Sequence, residues 1–263
     1  MLRALYTAAS GANTQQFNID VIANNVSNVN TTAYKRVRAE FQDVMSQTMQ
    51  AAGALSDQGT TDPTGVQVGL GAKIAATQKI FLPGSMIQTG NPLDVSIAGD
   101  GFFQIQQDSG EIAFTRDGTF KRDAAGQMVT SDGNLILPNI TIPQDATEIV
   151  ISQNGMVNVR TAGSVDLQQV GQLQLVKFAN PAGLEAMGRN LYAATPASGQ
   201  AIEGTAGQGD FARTTINQGY LENSNVQIVE ELINLITAQR AFEANSKVMK
   251  AGDEVLQMVN NVV

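Results

Sequence analysis

The chain has 263 residues, a net charge of −8, 25 glycines, and neither cysteine nor histidine. The acidic balance excludes a nucleic-acid partner, whose phosphates need a basic face. The missing residue types exclude disulfides, thiol nucleophiles, the usual zinc sites and every Ser/His or Cys/His catalytic pair.

The first predicted element is a helix over residues 1 to about 29. Leu5, Ala12, Ile19 and Val26 stand seven apart, the period of a helix packed along other helices. Gly11 inside it costs about 1 kcal/mol relative to alanine, so the helix is marginal alone. The apolar run after Met1 is too short for a secretory signal and polar residues follow at once, so no cleaved signal peptide is expected. Asparagines at 24, 25, 28 and 30 compete with the helix by bonding their own backbone and end it. Lys35-Arg36-Val37-Arg38 is the one basic cluster, read as a solvated face or the partner of local carboxylates.

Residues 41–49 read as a short helix or an extended segment. Residues 50–72, rich in Gly, Ala, Thr and Ser with Pro63, read as a loose connector. From about Ile74 to Thr215 the period changes to two. Asp100-Gly101, Asp117-Gly118, Asp132-Gly133 and Asn154-Gly155 punctuate it, which predicts an all-β domain of hairpins. Phe102, Phe103, Phe114, Phe120, Leu175 and Phe178 are its expected core. The turn aspartates do not follow calcium-loop spacing, and turn chemistry accounts for them. Gly65 to Gly71 lacks the lysine of a phosphate-binding loop. No catalytic constellation, metal site or cofactor site is read, and no apolar run is long enough to span a membrane as a helix.

The last element is a helix from Ser224 to Val263, with Ser224 and Gln227 spaced as a capping box. Ile228, Leu235, Phe242, Met249, Leu256 and Val263 form an apolar series of period seven. The positions four residues on begin with Leu232 and fade into Gln239, Ser246 and Asp253. A two-stranded zipper needs both seams apolar, so one strong seam flanked by amides predicts a wetter, many-helix assembly. The expected fold is α+β. Residues 1–30 and 224–263 make a coiled-coil-like helical domain, 31–73 an extended connector, and 74–223 a central β domain. The helices are expected to be poorly ordered alone and to pack on assembly. From the residues alone, a secreted β binding module on a coiled-coil stalk is a rival; a wall-degrading enzyme has no supporting motif.

Several motifs resemble those of the bacterial flagellar axial proteins of the rod and hook class. The N-terminal one runs Ala23-Asn24-Asn25-Val26-Ser27-Asn28-Val29-Asn30-Thr31-Thr32-Ala33-Tyr34-Lys35-Arg36, with Val26-Ser27 and Ala33 where Leu-Ala and Gly are usual. The C-terminal one runs from Gln218-Gly-Tyr-Leu-Glu-Asn-Ser-Asn-Val226 through Gln239-Arg240-Ala241-Phe242 to Lys247. Between them, Asn91 to Phe103, Phe114-Thr-Arg-Asp-Gly-Thr-Phe120 and Gly183 to Tyr192 are similar to the family's β region. Length and the segment Gly65 to Thr77 are most similar to its distal-rod branch; a proximal-rod or hook-type member is the alternative. The resemblance implies a non-enzymatic structural subunit of a helical tubular shaft between motor and hook, with the terminal helices lining an inner tube. It also implies proximal rod, hook, and peptidoglycan-layer and outer-membrane ring proteins as neighbours, and export through the flagellar type III apparatus.

Overall fold

The computed structural model describes residues 2–50, 64–163 and 166–261. The chain forms two compact units: Met1–Ser27, Val37–Lys79 and Gln227–Val263 in the first, Asn28–Arg36 and Ile80–Val226 in the second. The architecture is α+β, with a long helix at each end of a β-rich middle.

In the first unit, α1 (Leu2–Ser27) packs against α2 (Ile228–Asn261). The pair is antiparallel: Leu5 meets Gly252, Gly11 meets Asn245, and Asn25 meets Glu231. Small and amide residues allow this close approach. A Cβ on Gly252 would lie 2.6 Å from Leu5 Cδ2, and one on Gly11 would lie 3.0 Å from the Asn245 amide nitrogen. The second row of the seam therefore lies three residues on from the apolar series (Glu231, Ala238, Asn245, Gly252), whereas Leu232 and Gln239 on the other side are exposed. The row four residues on, which begins with Leu232 and fades into polar groups, is the outward flank at Leu232, Gln239 and Asp253. Apolarity identified the first row but not the second, where size is what matters.

The segment expected as a connector is partly sheet. Strands Val37–Asp43 and Ala72–Lys79 pair antiparallel, with a bulge at Glu40/Phe41 that sets Phe41 opposite Ile74. Both strands contact α1, so 37–79 belongs with the helices, and the proposed boundary at 73/74 moves to 79/80. Gln47–Gln50 pairs with Val66–Val68, so the open choice over 41–49 falls to the extended form. Pro63 and the rest of 51–63 lie outside the described residues, as does Val263.

The second unit is built on a sheet centred on Phe102–Gln106, flanked by Ile112–Thr115, Leu135–Leu137 and Leu175–Lys177. Ala146–Ile151, Met156–Thr161 and Gln168–Gln172 make a three-stranded sheet. Asp132-Gly133 and Asn154-Gly155 close hairpins, each glycine at positive φ. Arg189-Asn190, both at positive φ, form a two-residue turn between Glu185–Gly188 and Leu191–Ala193, the geometry that fits strand twist. The core contains Phe103, Phe120 and Leu175 as expected, together with Ile97, Ile140 and Phe211. Phe102, Phe114 and Phe178 form a second cluster with Tyr192, their rings edge to face.

Candidate assembly surface and buried ionic cluster

The apolar residues of α2 divide between two faces. Leu235, Phe242, Met249 and Leu256 are half-buried in the chain, beside the buried Ala238. On α1, Ala12 is buried and Leu5, Ile19 and Val26 are half-buried. The remaining two predicted packing residues, Ile228 and Leu232, point outward. With Val229, Ile233 and Ile236 they make an apolar ridge along the first turns of α2, each side chain between 44 % (Leu232) and 71 % (Val229) exposed. The spacing 228/229, 232/233, 236 is one stripe of a helix face. The sequence signal for this second stripe was present in Val229, Ile233 and Ile236. It was masked by the stronger period-seven series.

The signature residues mostly have structural roles. In the first unit, the Asn25 amide donates to Val37 O at 2.8 Å and its Oδ1 accepts from Val37 N at 2.9 Å, while Nδ2 also reaches Glu231 Oε2 at 3.4 Å. One side chain thus ties α1, the first strand and α2 together. Asn28 Oδ1 accepts from Thr31 Oγ1 at 3.1 Å, closing the turn after α1. Asn24 is exposed. Gln239 and Arg240 are exposed as well, with Arg240 in a loose surface pair with Glu243 at 3.6 Å. Ser224 does not cap α2. Its hydroxyl accepts from Val226 N at 3.2 Å, and the helix begins four residues later. The chain there is held by other bonds, so the serine serves a local turn instead.

Lys35 and Tyr34 lie in the second unit. Lys35, Arg116 and Glu222 form a buried ionic cluster, each no more than 2 % exposed. Glu222 Oε1 accepts from Lys35 Nζ and, at 2.9 Å, from Gly84 N; Oε2 accepts from Arg116 Nε at 2.8 Å. Lys35 Nζ also donates to Leu82 O at 2.8 Å. Arg116 donates through its Nη atoms to the carbonyls of Ile97, Gly99 and Gly101 at 2.9–3.3 Å. Nearly every donor finds an acceptor, the condition under which buried charge is tolerable. Burial pushes the Glu222 carboxyl up. The charges of Arg116 and Lys35, with the bonds from Lys35 and Gly84, outweigh that and hold it below the ordinary value. Lys35 is lowered to about 8, because burial and the Arg116 charge outweigh the attraction of Glu222. Nearby, burial and then Tyr34 push the Tyr192 hydroxyl up, against the opposing Arg116 charge.

Sequence reading singled out Lys35 but neither of its partners. Each of the three residues sits in a different motif, Lys35 in the N-terminal one, Arg116 in Phe114–Phe120 and Glu222 in Gln218–Val226. Their convergence across 187 residues was the missing link. Ala33, where glycine is usual, takes φ 56° and is buried. The left-handed penalty of about 1–2 kcal/mol is partly offset by about 0.8 kcal/mol for the buried methyl. Alanine is therefore sustainable there. Among the described residues no group of acidic residues is arranged to hold a metal ion.

Three family models match the chain. Residues 5–35 match "Flagella basal body rod protein", 96–159 match "Flagellar hook protein FlgE/F/G D1 domain", and 217–262 match "Flagellar basal body rod FlgEFG protein C-terminal". The chain is 48 % identical over 264 residues to the flagellar basal-body rod protein FlgG of Borreliella burgdorferi, covering 100 % of this chain and 99 % of the relative. It is 48 % identical over 262 residues to FlgG of Caulobacter vibrioides, covering 99 % of both. With FlgG of Bacillus subtilis it shares 39 % identity over 266 residues, covering 100 % of this chain and 99 % of the relative.

Proposed function

The chain belongs to the flagellar basal-body rod protein FlgG family, and from that premise we propose how it builds the rod. It is a structural axial subunit of the flagellar basal body that self-assembles into the helical tube of the distal rod. The observation that carries the assembly mechanism is the exposed ridge Ile228, Val229, Leu232, Ile233 and Ile236 on a helix whose opposite face is already used within the chain. Burying what remains exposed of five aliphatic side chains is worth about 1 kcal/mol each, or about 5 kcal/mol per contact. Association costs about 4–15 kcal/mol in lost freedom. One contact barely offsets that cost, so a subunit gains net stability only with several neighbours at once, as in a helical lattice.

In this reading the paired helices line the tube, the tube crosses the periplasm, and torque passes along it from motor to hook. Its neighbours are the proximal rod proteins, the hook protein, and the rings of the peptidoglycan layer and outer membrane. The subunit leaves the cell through the flagellar type III apparatus. Electron microscopy of the concentrated protein tests the central step. Tubes of uniform diameter are expected; a closed oligomer of fixed size would instead support a discrete binding module.

A further inference from the structure

Residues 28–36 connect α1 to the first strand, yet they fold with the second unit. None of them belongs to its apolar clusters, which are built from residues 95–216, with Phe81 packed alongside. Their attachments are mainly polar. Ala33 N donates to Glu222 O at 2.8 Å, and Arg36 N donates to Asn225 Oδ1 at 2.7 Å. Asn190 Nδ2 donates to Thr32 O at 3.1 Å, and Ile80 N donates to Arg36 O at 2.9 Å. The Asn225 amide in turn donates to Ile80 O and Leu82 O at 2.8 and 3.1 Å. At the centre of this group stands one carboxylate, Glu222. It takes Lys35 from this segment, Gly84 from the adjoining passage and Arg116 from the sheet.

We propose that Glu222 is a latch: its charge holds residues 28–36 against the β unit, and removing that charge releases the segment while the β core stays folded. The stability of this segment is separable from that of the β core. Segments with few apolar contacts open as local units below the free energy of global unfolding, and the polar bonds that hold this one centre on a single buried anion. The charged groups facing Glu222 are Lys35 and Arg116, with the phenol of Tyr192 close enough to feel its charge. Two buried cations left without their counterion repel each other, and Lys35 is the mobile one, because Arg116 remains fixed by the Ile97, Gly99 and Gly101 carbonyls. With the latch closed, α1 is followed at once by an anchored segment. With it open, nine residues become a tether spanning roughly 16 Å. The state of the latch therefore decides whether the passage from α1 to the first strand is anchored or slack.

Amide hydrogen exchange on the unassembled full chain tests this, independently of whether the chain forms a rod. In Glu222→Gln, the amides of Ala33 and Arg36 should exchange at least tenfold faster, while those of Phe103 and Ile105 in the central strand keep their wild-type rates. Lys35→Met leaves the Arg116–Glu222 pair intact and covers the case in which Glu222→Gln does not fold. It should show the same selective loss of protection. Unchanged rates at 33 and 36 in the folded variants, or equal acceleration of segment and core, would overturn the latch.

Discussion

Glu222 neutralises two buried cations at once, so its protonation has a predictable sign. Its carboxyl is held below the ordinary 4.5 in the folded chain. That stabilisation is fully present above the unfolded value and is lost as pH falls through the lower folded value. Lys35 acts in the opposite sense. Its folded value near 8 lies below the ordinary 10.5, so the unfolded chain binds the proton more tightly and this burden on stability lifts as pH rises from about 8 to 10.5. The protection of the Ala33 and Arg36 amides, corrected for intrinsic exchange, should therefore fall below about pH 4.5 in the wild type. In Glu222→Gln that protection should already be lost at pH 7, with a flatter acid limb. An acid limb of unchanged steepness in that variant would remove Glu222 from the account.

The helices give their two faces different tasks. Phe242 is half-buried against the rest of the chain. Phe242→Asp should cost about 2 kcal/mol, roughly half the loss for a fully buried phenylalanine, and lower the helical circular dichroism of the unassembled chain while the β unit stays folded. The wild-type pair is itself marginal, with Gly11, Asn245 and Gly252 in its seam, so helix content should rise further on assembly. This division of faces was only half legible in the sequence. A period of seven reports that a helix has a packed row, but not which neighbouring row completes it. The size of Ala238 and Gly252 decided that, and size carries no hydropathy signal. The Asx-Gly turns were legible because their chemistry is local. The Lys35–Arg116–Glu222 cluster was not, because ion pairing between distant segments leaves no periodicity. The strand at 37–43 was not legible, although Val37, Ala39 and Phe41 alternate with Arg38, Glu40 and Gln42, because a Gly-, Ala- and Thr-rich stretch that reads as loop separates it from its partner at 72–79.

For the whole molecule, the net charge of −8 sets subunits against one another. Assembly must overcome that repulsion with buried apolar surface, and the described chain exposes such a surface as a continuous stripe on α2. Rod formation by this stripe is the central claim, and the variant Ile233→Asp tests it most directly. Ile233 is 59 % exposed, so an aspartate there should leave the unassembled chain within about 0.5 kcal/mol of wild-type stability. In the lattice the same charge would be buried without a partner. Sedimentation and electron microscopy of wild type and variant at equal concentration should give pelleted tubes from the first, and from the second a soluble chain with unchanged circular dichroism. Tubes of normal yield and diameter from Ile233→Asp would contradict the account.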